Sequence, residues 1–228
     1  MKGKWLNYFG QLRLYSLVDM ILMMYASQAP FAALFGAMML HIGFLAFLES
    51  RHKQPGRAPV SEDLPWVVCS YIGMRYFGDH IEAGIYICCS ILYSMKNRGR
   101  WGLLSPFFRG AQIFLLTVPF ADFWFAVLAA VATAVRNVLG DLRDVVADRQ
   151  DNMKTWPVIL RIKEDWLFFH LAATLATTWL WWSFTSISVF CPASLTLIEL
   201  RSYYLTPRSS NQKALAVLQR LRRPGLVP

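Results

Sequence analysis

Phe31-Ala-Ala-Leu-Phe-Gly-Ala-Met-Met-Leu-His41-Ile-Gly-Phe-Leu-Ala-Phe-Leu48 carries one ionisable side chain, His41, in a stretch long enough to approach the width of a bilayer core. Phe120–Val135 and Trp166–Trp182 read the same way, with at most one or two ionisable groups each. The composition agrees with these runs. Of the 228 residues 56% are apolar and only 16% charged, whereas a water-exposed domain of ordinary composition carries about 25% charge. Such a chain suits hydrocarbon better than water.

Eight apolar segments follow one another in pairs: Tyr15–Ala29 with Phe31–Leu48, Leu64–Gly78 with Ile81–Met95, Leu103–Val118 with Phe120–Leu139, and Asp165–Ser183 with Thr185–Leu200. The expected fold is all-α, a polytopic transmembrane bundle of about eight helices over residues 1–205, with cytoplasmic loops. Pro30, Pro119 and the Gly78-Asp79-His80 turn separate the members of the first three pairs. Proline lacks an amide donor and disfavours helix in the residue before it, so it belongs at such boundaries. Several segments fall short of the roughly 20 residues that span a bilayer upright, so their ends are expected to shift by a few residues.

The net charge of +9 comes from 23 Lys and Arg against 14 Asp and Glu. The bases sit in short caps between apolar runs, not on one soluble face, which argues against nucleic acid and for anionic lipid headgroups. The linkers between pairs, Glu49–Asp63, Lys96–Gly102 and Gly140–Glu164, are the basic ones. The positive-inside rule therefore places them, and both termini, on the cytoplasmic side of a cytoplasmic or organellar inner membrane, and leaves only Arg75 near the outer surface. No small-residue cleavage site follows the first apolar run, so the first helix is expected to be retained. The tail, residues 206–228, holds Arg208, Lys213, Arg220, Arg222 and Arg223, with Ala214, Leu215, Val217, Leu218 and Leu221 at roughly helical spacing. It reads as a short amphipathic helix on the inner leaflet, or as a contact helix for a protein partner.

Isolated polar residues inside the apolar runs have modest expectations. Arg109 is expected to snorkel to the headgroups, while Arg136 either snorkels or lines a cavity. His41, with no second histidine at helical spacing, is expected to hydrogen-bond a neighbour. Asp19 faces a base or a cavity. Arg75, Asp79, His80 and Glu82 read as an interfacial ion-pair group, and Trp179, Trp181 and Trp182 as an outer aromatic belt. Cys69, Cys88, Cys89 and Cys191 have no metal-site spacing and read as buried free thiols.

One constellation carries chemistry. After the sixth segment the chain reads Asn137-Val-Leu-Gly140-Asp141-Leu-Arg-Asp144-Val-Val-Ala-Asp148-Arg149. Positions i, i+3 and i+7 share one face of a helix. Like charges so aligned repel, and a hard divalent cation such as magnesium reverses that cost. Pairing of the acids with Arg143, Arg149 and Lys154 in a solvated loop is the competing reading.

Asp141-Leu-Arg-Asp144-Val-Val-Ala-Asp148-Arg149, with Lys154-Thr155-Trp156-Pro157-Val158 after it, resembles the second aspartate-rich motif of the UbiA-type intramembrane prenyltransferases. Leu14-Tyr15-Ser16-Leu17 resembles the entry to that family's first helix, and Ile91-Leu92-Tyr93-Ser94-Met95-Lys96 the tyrosine–lysine end of its fourth. The resemblance implies a helical bundle around a cavity and an isoprenoid diphosphate bound through Mg2+. It implies transfer of the isoprenoid chain to an aromatic or other lipophilic acceptor within the membrane. Asp141, Asp144 and Asp148 would take the metal and catalytic duties, and Asn137, Arg136, Arg149, Lys154, Tyr93 and Lys96 the diphosphate. The chain departs from the family where its first acidic motif belongs. That stretch reads Leu48-Glu49-Ser50-Arg51-His52-Lys53-Gln54-Pro55-Gly56-Arg57, with one acid among bases. Tyr93 and Lys96 stand one residue closer than the family pattern, and eight segments replace nine. The alternative is a non-catalytic UbiA-like membrane subunit that binds an isoprenoid, quinone or pigment, or packs in a larger membrane complex. A small transporter fits the topology but lacks an internal repeat and broken helices.

Overall fold

The computed structural model describes residues 15–51, 64–78, 81–97 and 100–163, and scattered positions between 172 and 197. Among the described residues the regular structure is entirely helical. The helices are α1 (Tyr15–Ala26), α2 (Phe31–Arg51), α3 (Leu64–Phe77), α4 (Ile81–Ser94), α5 (Ser105–Thr117), α6 (Phe123–Arg143), α7 (Val145–Gln150) and α8 (Trp156–Ile159), with single 3-10 turns at Met95–Asn97 and Trp101–Leu103. The expected seventh and eighth segments, the basic linker over 52–63, the Asp79-His80 turn, the Asp19 side chain, Cys191, Trp181, Trp182 and the tail over 206–228 lie wholly or mostly outside the described residues.

Local chemistry sets the boundaries. At the end of α1 both the amide and the hydroxyl of Ser27 donate to the Met23 carbonyl (2.9 and 2.7 Å). Gln28 then takes a left-handed conformation (φ 57°) and Pro30 starts the next helix, the usual way a chain leaves a helix. Gly78 (φ 103°) closes α3. Pro106 lies in the first turn of α5, where its missing donor costs nothing. Asp122 caps α6 by accepting the Trp124 amide at 2.8 Å. The sixth segment runs further than the apolar pattern indicated: α6 continues past Leu139 to Arg143. Among the described residues two helices, over Phe31–Leu48 and Phe123–Arg143, are long and apolar enough to cross a membrane, with mean hydropathies of 2.1 and 1.6.

The chain forms two compact units, Met1–Val135 and Arg136–Pro228. The first is built on an unusually close pair, α2 against α3. A Cβ placed on Gly36 would lie 2.2 Å from the Phe77 amide nitrogen, one on Gly73 2.7 Å from the Leu40 nitrogen, and one on Gly43 2.8 Å from the Ser70 hydroxyl. The pairs Gly36–Phe77, Leu40–Gly73 and Gly43–Ser70 rise along α2 as they fall along α3, so the helices are antiparallel. At Gly36 and Gly73 the obstacle is backbone and only hydrogen fits; at Gly43 it is the Ser70 hydroxyl. Small residues that let backbones touch are how helices gain packing energy where the hydrophobic effect between them is weak.

The outward faces of α3 and α4 are strongly apolar, around a core that is itself mostly apolar. On α3, Ser70, Gly73 and Phe77 are buried while Leu64, Val67, Val68, Tyr71, Met74 and Tyr76 are exposed. On α4, Ala83, Tyr86, Cys89, Ser90 and Tyr93 are buried while Ile81, Ile85 and Ile91 are exposed. His41 and Gln112 are inside. Cys69 is half-buried and Cys89 buried, but Cys88 lies on the exposed face of α4, so the expectation that all the thiols are buried fails there. The side chain at position 88 follows the helix face, on which Ile81 and Ile85 also point outward.

The α2–α3 contact makes a direct prediction. Gly36→Leu should destabilise the unit by about 3 kcal/mol or more, because backbone cannot move aside as a side chain can. Gly84→Ala, on a face of α4 with open space around it, should be neutral or raise stability by roughly 0.5–1 kcal/mol. Thermal unfolding of the two variants in the same detergent reads the difference.

Candidate functional site

The acidic row lies in the second unit and spans the end of α6, a one-residue break at Asp144 and the start of α7. Helical hydrogen bonding carries through the break: the Asp144 amide donates to the Gly140 carbonyl (3.1 Å) and the Asp148 amide to the Asp144 carbonyl (2.9 Å). The three acids therefore keep one face, as their spacing requires. Their environments differ. Asp141 and Asp148 are each only 2% exposed. Asp144 reaches solvent and pairs with its neighbour, Arg143 Nε and Nη2 donating to its two carboxylate oxygens at 3.2 and 3.1 Å.

Asp148 is tied to the Lys154–Val158 stretch that follows it. Thr155, fully buried, donates its hydroxyl to Asp148 Oδ2 at 3.1 Å. The Met153 amide closes the turn on the Asp148 carbonyl at 2.8 Å. Pro157 then starts α8, and Asn152 and Arg161 supply left-handed residues where the chain reverses. The Thr155–Asp148 bond thus joins the row of acids to the Lys154–Val158 stretch in space.

The other residues expected to serve a diphosphate are placed as follows. Arg149 is exposed and spends its guanidinium on main-chain carbonyls, Ile162 and Lys163. Lys154 is exposed beside Thr155. Arg136 and Asn137, half-buried, lie two turns or less before Asp141 on α6. Tyr93 and Lys96 belong to the first unit, Tyr93 buried edge-on against the Phe44 ring (5.5 Å between centroids) and Lys96 in the 3-10 turn after α4. Among the described residues no group of three or more His, Cys, Asp or Glu converges to hold a metal ion.

A second polar centre, in the first unit, was not legible as a cluster in the sequence. His41, Tyr86 and Gln112 are all 0% exposed. His41 Nε2 lies 2.9 Å from the Ser16 hydroxyl and its Nδ1 3.1 Å from the Tyr86 hydroxyl, linking α1, α2 and α4. Ser90 donates to the Tyr86 carbonyl (2.8 Å) and accepts from Gln112 Nε2 (2.7 Å), which brings in α5. Arg109 Nη1 donates to Gln112 Oε1 at 2.6 Å. The guanidinium lies over the Phe44 ring, 4.9 Å from its centroid, and within reach of the Tyr86 hydroxyl. Arg109 is therefore turned into the bundle, not snorkelling outward, because Gln112 one turn on and the Phe44 face both attract a cation. His41 hydrogen-bonds its neighbours, as expected of a lone histidine there.

No family model matches this chain, and no curated protein or solved structure matches it.

The centre on Gln112 predicts an asymmetry among polar deletions. Gln112→Leu keeps the volume but removes the partner of buried Ser90 and half-buried Arg109, and should cost about 1–3 kcal/mol. Ser94→Ala removes a hydroxyl that only back-bonds its own helix at the surface and should stay within roughly 0.5 kcal/mol of the parent. Chemical denaturation in one detergent compares them.

Proposed function

We propose that this chain is a multi-pass integral membrane protein resembling the UbiA type, and that it moves an isoprenoid chain from its diphosphate to an aromatic or other lipophilic acceptor. The observation that carries the reading is the bond from Thr155 to Asp148. It ties the three-acid row to the ending that follows it, and those two stretches are the ones on which the resemblance rests. The bilayer part of the reading rests on the outward apolar faces of α3 and α4 and on the two long apolar helices.

Asp141, Asp144 and Asp148 would hold magnesium, which suits hard oxygen donors completed by phosphate oxygens and water. When bound, the ion supplies charge neutralisation for the departing diphosphate. Asp144 is the member that must change partner. In its resting state it pairs with Arg143, so the row as it stands is not a chelate. A diphosphate arriving with its metal would offer Arg143 a phosphate oxygen in exchange for the carboxylate.

The Arg143–Asp144 pair also favours a second reading, a non-catalytic membrane subunit that keeps the fold to hold an isoprenoid, quinone or pigment, or to pack in a larger complex. In that case the acids are satisfied within the protein and need no ion. Purified full-length protein separates the two. On the transferase reading, farnesyl or geranylgeranyl diphosphate raises the melting temperature only with magnesium present, EDTA reverses the rise, and Asp144→Ala lowers prenyl transfer by roughly 100-fold or more. A melting temperature indifferent to magnesium with every such diphosphate, and function in cells unchanged by Asp144→Ala, would leave the subunit reading standing.

A further inference from the structure

We propose that one end of the first unit, where its three short turns meet, is an aromatic collar that seats in the headgroup layer of a phospholipid bilayer. The proposal rests on the bilayer part of the reading above and on nothing in the acidic row.

Ring contacts gather the collar at one end. The antiparallel pair brings the start of α2 to the finish of α3, with Gly36 against Phe77. The Phe35 ring meets Tyr76 edge-on at 5.0 Å between centroids. Phe77 meets Phe120 at 5.5 Å, which draws the α5–α6 turn to the same end. There Phe114 packs on Phe123 and Phe123 on Trp124, at 5.9 and 5.6 Å. Residues 27–30 are all that separate α1 from α2, so Tyr25 lies beside the start of α2. Tyr25, Phe31, Tyr76, Phe123 and Trp124 are all exposed at this end, Phe31 at 83% and Trp124 at 73%. They are a different set from Trp179, Trp181 and Trp182, where the sequence alone suggests an aromatic belt.

The chemistry of these side chains selects their surroundings. Water is a poor solvent for a group of large rings. Deep hydrocarbon is a poor one for the Tyr hydroxyls and the Trp indole N–H. The boundary between headgroups and acyl chains meets both demands. Polar neighbours mark the water side: Gln28, Arg75 and Asp122, all exposed, lie in the turns or beside them. Apolar neighbours mark the other side. The outer face of α3 continues from Tyr76 to Met74 and Tyr71, about 7–8 Å down the helix, and α4 carries Ile81 and Ile85 outward. The collar is thus the rim of the surface read as lipid-facing. From Phe31 to Leu48 the second helix rises about 26 Å, close to the roughly 30 Å of a hydrocarbon core. A collar at Phe31 therefore puts the end of α2 at the opposite headgroups.

The test uses the full-length protein in phosphatidylcholine vesicles. A nitroxide is attached through a genetically encoded ketone-bearing aromatic residue at Phe31, Trp124 or Tyr71, one at a time, so the native cysteines stay. Relaxation by oxygen and by a water-soluble nickel chelate reads depth. The Tyr71 label should lie in hydrocarbon, with nickel access several-fold below that at Phe31 and Trp124. Labels at those two should meet less nickel than a nitroxide free in water and less oxygen than the Tyr71 label. Phe31→Ala combined with Trp124→Ala should then move the Tyr71 label in depth by about 1.5 Å or more, one helical step, while Phe31→Tyr combined with Trp124→Tyr should leave it in place. If the alanine pair does not fold, the depths at Phe31 and Trp124 decide alone. Nickel access at Phe31 and Trp124 equal to that in free water overturns the proposal. So does exclusion of both probes there, which would mean that protein covers the rings, or a Tyr71 depth unmoved by a folded alanine pair. A Tyr71 label open to nickel brings down the bilayer reading itself, whereas a Tyr71 label in hydrocarbon with Phe31 and Trp124 in water brings down the collar alone.

Discussion

Polar side chains inside an apolar bundle have no water to turn to, so they must satisfy one another, and that requirement organises the first unit. Ser16, His41, Tyr86, Ser90 and Gln112 each find a partner on another helix or on their own backbone. The links run from α1 through α2 and α4 to α5. Each pins the rotation of a helix about its axis more sharply than apolar contact alone, since a hydrogen bond fails within a fraction of an ångström while packing gives way gradually. The glycine contacts of α2 and α3 set the distance between helices, and the polar links set their rotation. With rotation fixed, Phe77, Tyr86 and Tyr93 turn inward, and Val67, Tyr71, Met74, Ile81 and Ile85 are left on the outside of α3 and α4.

The two polar centres are chemically opposite. The row of Asp141, Asp144 and Asp148 belongs to the second unit and concentrates negative charge along one face. The Arg109 centre belongs to the first and places a cation among neutral donors and acceptors.

The helical class, the positions of the first turns and the shared face of the three acids were all legible in the residues. Pro30 and Gly78 fall where the chain reverses, and the spacing of Asp141, Asp144 and Asp148 survives the break after Arg143 because the backbone bonds continue across it. The extension of α6 to Arg143 was not, because apolar pattern ends at Leu139 while nothing in Gly140-Asp141-Leu142-Arg143 forbids helix; a single glycine costs only about 1 kcal/mol. Arg109 was misjudged for a related reason. Its direction depends on Phe44 and Tyr86, on helices far away in sequence, and no local pattern records that a ring face will be waiting. Gln112 and Tyr86 gave a faint signal, two large polar groups within apolar segments, but only the fold shows that Ser90 joins them.

The account stands on hydrocarbon, not water, surrounding the outward faces of the first unit. Spin labels placed one at a time along α3 of the protein in lipid bilayers test this most directly, by comparing relaxation from oxygen, which concentrates in hydrocarbon, with relaxation from a water-soluble nickel chelate. Labels at Val67, Tyr71 and Met74 should respond to oxygen and be shielded from nickel, while a label at Ser70 should respond weakly to both. Strong nickel access at Val67, Tyr71 and Met74 would mean that water covers that face, and would contradict the account.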